Sequence, residues 1–193
     1  MTITAEATQR RAEIIRAAAR LFDEKGYHNT GMDDIAEAVG LRKPTLYHYV
    51  KSKVEILVWI HNDVMTDVFP RLEGYVDEGL DPRETLRRVA ADILEIMDTR
   101  PGYLRVFFEH HREIPEPLRT EAVRSRDRYQ WLVESTIKDG IRQGIFREVR
   151  VRPATLALFG ITNWSYQWYK PGGNYRELAD ELLDFYLKGL EPR

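Results

Sequence analysis

Glycine and proline cut this chain into stretches of helical length, and within nearly every stretch apolar residues return every three or four positions. That period buries one stripe of a helix, whereas the two-residue alternation and hairpin turns of a sheet protein are nearly absent. The expectation is an all-α fold of about nine helices. The first, about 8–25, aligns Ile15, Ala18, Ala19 and Phe22 and stops at Gly26. A short helix follows, carrying Met32, Ile35, Ala36 and Val39, with Thr30 and Asp33 as its expected capping pair and Gly40 as its end. Another short segment, 43–49, has Pro44 in its first turn, where a missing N–H costs nothing.

From Lys53 the helices lengthen, beginning with one over about 53–75 that has Pro70 near its end. Asp81, Pro82 and Glu84 are strong start signals for the next. Further helices are expected over 101–111, 115–143, 153–169 and 175–189, the last capped by Asn174 with Glu177. The 153–169 segment is apolar nearly all round, so it should pack on two sides.

Several function classes fall away on composition. The absence of cysteine removes disulfides, thiolate metal sites and cysteine nucleophiles, which suits a reducing cytoplasm. No stretch reaches the roughly 20 apolar residues of a membrane span, and the N-terminus lacks the pattern of a secretory signal. The expected protein is soluble and cytoplasmic, without a membrane partner. No metal site is expected, since the adjacent His110 and His111 point about 100° apart on a helix. Nor is there a nucleophile elbow, a phosphate-cradling glycine loop or a placeable carboxylate pair, so no enzyme and no cofactor are expected. The net charge of -2 rules out bulk coating of nucleic acid, yet residues 1–53 hold nine Lys/Arg against seven Asp/Glu, leaving room for a local basic patch.

Helices of about 18, 8 and 7 residues, the last two joined around Gly40-Leu41-Arg42, match a helix-turn-helix whose third helix enters the major groove. A tight helical turn is also common in bundles, so composition must decide. The 41–49 segment is too polar on one face to be buried, yet it keeps Leu46 and Tyr49 to seat it. Arg42 and Lys43 suit phosphates or guanine edges, Thr45 a thymine methyl or a phosphate, and Tyr47 and His48 phosphate oxygens. Thr30 and Lys53 sit at helix N-termini, where free N–H groups also favour phosphate. The bland alternative makes these residues caps and a solvated face.

The stretch GYHNTGMDDIAEAVGLRKPTLYHYVKSKVEIL, residues 26–57, resembles the DNA-binding domain of TetR-family transcriptional repressors. Thr30, Ile35-Ala36, Val39-Gly40, Leu46-Tyr47-His48-Tyr49 and Ser52-Lys53 stand at the family's spacing, while Val50 departs from the phenylalanine usual near that point. The resemblance covers roughly residues 8–57. It implies a homodimer whose recognition helices read palindromic double-stranded operator DNA. Residues 1–53 would form the DNA-binding domain and 54–193 a ligand-binding and dimerisation domain that pairs through its last two helices. Carried over by position, Thr30, Lys43, Thr45, Tyr47, His48 and Lys53 become DNA contacts, and Arg42 joins them on chemistry.

Beyond residue 58 aromatics crowd around polar side chains. Phe107, Phe108, His111, Arg128, Trp131, Asn163, Trp164, Gln167 and Trp168 are the candidate lining of an effector pocket, although aromatics at this spacing also build cores. The segment 163–173 is similar to one in TetR-family regulators of fatty-acid and sterol breakdown that respond to acyl-coenzyme A. By that resemblance the small-molecule effector is an acyl-CoA thioester, with Arg105, Arg112, Arg124, Arg126, Arg128 and Lys170 as candidate phosphate partners. Two alternatives remain: a repressor of efflux answering cationic drugs, with Glu95, Asp98, Glu109 or Glu134 as buried carboxylates, and a helical interaction module without DNA binding.

Overall fold

A computed structural model describes residues 5–192, and among these the regular structure is nine α-helices and two one-turn 3-10 helices, with no strand. The helices are α1 (Ala5–Lys25), α2 (Met32–Ala38), α3 (Lys43–Tyr49), α4 (Lys53–Asp77), α5 (Pro82–Thr99), α6 (Tyr103–Glu109), α7 (Leu118–Arg142), α8 (Val151–Asn163) and α9 (Tyr175–Leu190). The 3-10 turns are His111–Glu113 and Trp164–Gln167. The expected helix over 153–169 therefore ends its α-helical part at Asn163. Pro70 lies inside α4 without ending it.

The helices group into two compact units, residues 1–64 with 100–122 and residues 65–99 with 123–193, and α4 and α7 each contribute to both. The first unit buries Ile14, Ile15, Ala18 and Phe22 of α1 with Ile35, Leu46, Ile56, Ile60 and Leu104. Each of these leucine, isoleucine and phenylalanine side chains stabilises the fold by about 1.5–3 kcal/mol when it leaves water. α6 lies along α1 and begins at Gly102, whose φ is +84°. A Cβ there would stand 2.5 Å from the Ala19 carbonyl oxygen, so only glycine permits this approach.

The second unit is built on α5 packed along α9. Pro82 opens α5, and the Asp81 carboxylate accepts the Arg83 N–H at 2.8 Å, so the start signals act as expected. Asn174 caps α9 by accepting the Glu177 N–H at 3.2 Å. The buried stripe of α9 is Ala179, Leu183, Tyr186, Leu187 and Leu190. In the single chain one side of α8 is covered, and Leu156 on the other is 50 % exposed. Among the described residues no helix is long and apolar enough to cross a membrane.

Candidate nucleic-acid interface and effector site

The turn between α2 and α3 is closed by backbone alone. Gly40, at φ +66°, lets its own N–H reach the Glu37 carbonyl at 3.0 Å while the Leu41 N–H reaches that of Ala36 at 2.8 Å. Two carbonyls of the last turn of α2 gain partners in this way, and the chain turns within three residues into α3. Leu46 of α3 is fully buried and Val50, the extended residue just past the helix end, nearly so, and these two seat α3. Tyr49, expected to share that role, is 37 % exposed because it falls a quarter turn away. The remaining face presents Arg42, Lys43, Thr45, Tyr47 and His48 to solvent. Lys43 meets Asp33 of α2 at 2.7 Å in an exposed pair, and that hydrogen bond raises the lysine pKa, keeping it cationic.

Thr30 and Lys53 behave otherwise. The Thr30 side chain is buried, and its hydroxyl donates to the Gly26 carbonyl at 2.9 Å and that of Leu21 at 3.2 Å. The cap of α2 is instead Gly31, whose N–H donates to Asp34 at 2.7 Å, which corrects the expected Thr30/Asp33 pair. Lys53 turns its ammonium inward to the carbonyls of Tyr27, at 2.6 Å, and Thr30, at 2.9 Å, and lies 4.2 Å from the centre of the Tyr27 ring. Burial lowers its pKa. Both side chains therefore brace the turn before α2, and their polar atoms are already committed within the protein. Competition by these carbonyls, distant in sequence from Lys53, is the physical reason.

In the same unit α4, the 3-10 turn and the start of α7 border a small, partly open cleft of about 60 Å³, lined by Val58, His61, Asn62, Ile114, Leu118, Glu121 and Ala122. His61 is buried and stacks on Phe107 at 4.8 Å. Phe108 meets Phe107 edge-on, and the His111 Nδ1 lies 2.8 Å from the Phe108 carbonyl oxygen. Phe107 and His111 line a smaller adjoining cleft with His61 and Ile114. Sequence reasoning passed over His61 and Asn62 as lining, although a histidine within the apolar stripe of α4 is the signal that marks them.

The other candidate lining residues belong to the second unit. Arg128 is exposed, pairs with Glu73 at 3.0 Å and lies 4.8 Å from the centre of the Phe69 ring. Trp131, Trp164 and Trp168 are 58 %, 63 % and 49 % exposed, and Gln167 is exposed beside them in sequence. Asn163 is half-buried and accepts from the Thr162 hydroxyl. Within the single chain these three tryptophans face outward. A part-buried polar centre gathers around Arg71, and of its members the sequence reading named only Glu95. Arg71 pairs with Asp67 at 2.8 Å, with Asp92 at 2.9 Å and with Glu95. Tyr75 donates to Asp92 at 3.0 Å and Tyr175 to Glu95 at 2.9 Å. Burial raises the Asp92 pKa, while the Arg71 hydrogen bond lowers that of Glu95.

A seated, polar-faced α3 behind a closed helical turn is the arrangement of a DNA-reading helix, and family comparison agrees. Residues 14–58 match the model of bacterial regulatory proteins of the tetR family, and residues 79–190 match that of the tetracyclin repressor-like C-terminal domain. The chain belongs to the TetR family. As a TetR-family protein it is a DNA-binding transcription regulator and not an enzyme. Among relatives, the HTH-type transcriptional repressor KstR2 of Rhodococcus jostii (strain RHA1) is 28 % identical over 185 residues, spanning 94 % of this chain and 91 % of the relative. The crystal structure of the TetR family regulator PfmR from Thermus thermophilus has a TM-score of 0.83 at 32 % identity, covering 93 % of this chain and 99 % of that one. AibR, solved in complex with isovaleryl coenzyme A and operator DNA, has a TM-score of 0.77 at 25 % identity, covering 95 % and 98 %.

Proposed function

We propose that this TetR-family protein is a cytoplasmic, homodimeric repressor that binds a palindromic operator through α3 and is released by an acyl-CoA thioester. The observation that carries the DNA-binding half is the exposed set Arg42, Lys43, Thr45, Tyr47 and His48 on a helix anchored by buried Leu46. Arg42 and Lys43 supply charge-assisted contacts, and Thr45 is placed to meet a thymine methyl. Thr30 and Lys53 act indirectly by holding the turn that orients α2.

Residues 54–193 serve effector binding and dimerisation. Leu156 of α8 and Phe185 of α9, 50 % and 76 % exposed in the single chain, supply apolar surface for a mate. AibR supports the effector class through its isovaleryl coenzyme A complex, and KstR2 supports the repressor role. The residues proposed for effector contact are Phe107, Phe108 and His111 in the first unit and, in the second unit taken by itself, Arg128, Trp131, Asn163, Trp164, Gln167 and Trp168. Effector binding favours a spacing of the two α3 helices that no longer fits major grooves about 34 Å apart, and this requires differential affinity for the two states.

The cationic-drug alternative gains less support, because Asp92 and Glu95 are taken by Arg71, and Asp98 by the Tyr169 hydroxyl at 2.8 Å and the Gly172 N–H at 2.7 Å. Fluorescence anisotropy with DNA fragments flanking the gene, titrated with acyl-CoA thioesters and cationic dyes, tests the proposal. Operator release by a thioester is the expected result; release by dyes alone, or no DNA binding, overturns it.

A further inference from the structure

The loop that joins α8 to α9, residues 164–174, is pinned at both ends. At its start the buried Ser165 donates its hydroxyl to the Ile161 carbonyl at 3.1 Å. The Ser165 carbonyl accepts the Trp168 N–H at 3.1 Å and the Tyr169 N–H at 2.8 Å. At the other end α5 supplies two carboxylates three positions apart, side by side on one face. One oxygen of Asp98 accepts both the Tyr169 hydroxyl, at 2.8 Å, and the Gly172 N–H, at 2.7 Å, while Glu95 accepts the Tyr175 hydroxyl at 2.9 Å. Burial and the bond to Asp98 raise the Tyr169 pKa to about 12, so the phenol stays a donor.

A surface loop can leave its polar backbone to water, yet this one takes a carboxylate from a neighbouring helix. Glu95 is shared with Arg71, whereas Asp98 makes no ion pair among the described residues and its bonds go to the loop. What the loop holds up is apolar surface, because Trp164 and Trp168 are exposed, with Gln167 exposed beside them. Exposed indoles gain free energy when a ligand covers them, and a loop already fixed in one shape loses little entropy on binding. Resting on the acyl-thioester reading above, we infer that Asp98 is a positioning residue of the effector site. It acts through the loop, holding Trp164, Gln167 and Trp168 in the arrangement that meets the effector.

Calorimetric titration of the full-length protein with isovaleryl-CoA and octanoyl-CoA tests this. Asp98→Ala is expected to weaken thioester binding by about tenfold, the worth of the anchoring hydrogen bonds. Asp98→Asn, whose amide oxygen still accepts both donors, keeps parental affinity. In a Trp168→Ala background the loss caused by Asp98→Ala shrinks, because a group it positions is gone. Hydrogen exchange at the Gly172 N–H speeds up in Asp98→Ala and stays slow in Asp98→Asn. Tyr169→Phe, which removes one of the two bonds, gives the same signs at smaller size and serves if Asp98→Ala does not fold. No loss of affinity, an equal loss with and without Trp168, or unchanged Gly172 exchange in Asp98→Ala overturns the role of Asp98 with the thioester reading standing. A parent that binds neither thioester overturns both.

Discussion

Replacing Lys53 with methionine separates two roles that a lysine at a helix start can play. The ammonium makes hydrogen bonds of 2.6 Å and 2.9 Å to the Tyr27 and Thr30 carbonyls and faces the Tyr27 ring at 4.2 Å. In a half-buried setting each hydrogen bond contributes about 1 kcal/mol and the ring contact about 0.5–1 kcal/mol, so the loss is about 2–3 kcal/mol. Methionine keeps most of the stem and removes only the charge and donors. Urea unfolding followed by circular dichroism reads the stability, and operator affinity measured from 50 to 200 mM salt reads the phosphate contribution. The expected outcome is a lowered midpoint and weaker operator binding with an unchanged salt slope. A variant of parental stability whose log K against log salt is flatter by about 0.9 per Lys53 refutes the reasoning, because that is the signature of a lost phosphate contact.

Lys43→Ala should do the reverse, flattening the salt slope by about 0.9 per site with unfolding unchanged, since Lys43 is exposed and its Asp33 pair is solvated. Gly102→Ala places a Cβ 2.5 Å from the Ala19 carbonyl oxygen at a φ of +84°, and calorimetric melting should show a loss of more than about 2 kcal/mol. Burial lowers the His110 pKa, so below its ordinary value the unfolded chain binds the proton more readily and stability falls as pH drops through that range and then through the folded value. The melting temperature should therefore fall less between pH 7.5 and 5.5 in His110→Gln than in the parent.

Features set by neighbours in sequence are legible in the sequence itself. The Gly40 turn, the Asp81-Pro82 start and the Asn174 cap each depend on groups a few residues apart, and each formed as read. The errors share one cause, competition from groups distant in sequence. Thr30 looks like a cap until the Leu21 and Gly26 carbonyls claim its hydroxyl, and Lys53 looks free until the preceding turn folds under it. Aromatic content gives the size of Trp131, Trp164 and Trp168 but not their direction, so their outward facing in the single chain is not legible in the sequence. The Arg71 centre was hidden because its carboxylates come from both its own helix and α5. Its trace in the sequence was Asp92, a charged residue within the apolar stripe of α5.

The central claim is that two chains grip one operator and that an acyl thioester loosens the grip. Native mass spectrometry of the protein with a palindromic duplex from the DNA beside its gene, before and after adding isovaleryl-CoA and longer or cyclic thioesters, reports both at once. The account predicts two chains per duplex, then a free two-chain species carrying thioester mass. A single chain on the duplex, or a protein–DNA complex that takes up thioester and stays intact, would contradict it.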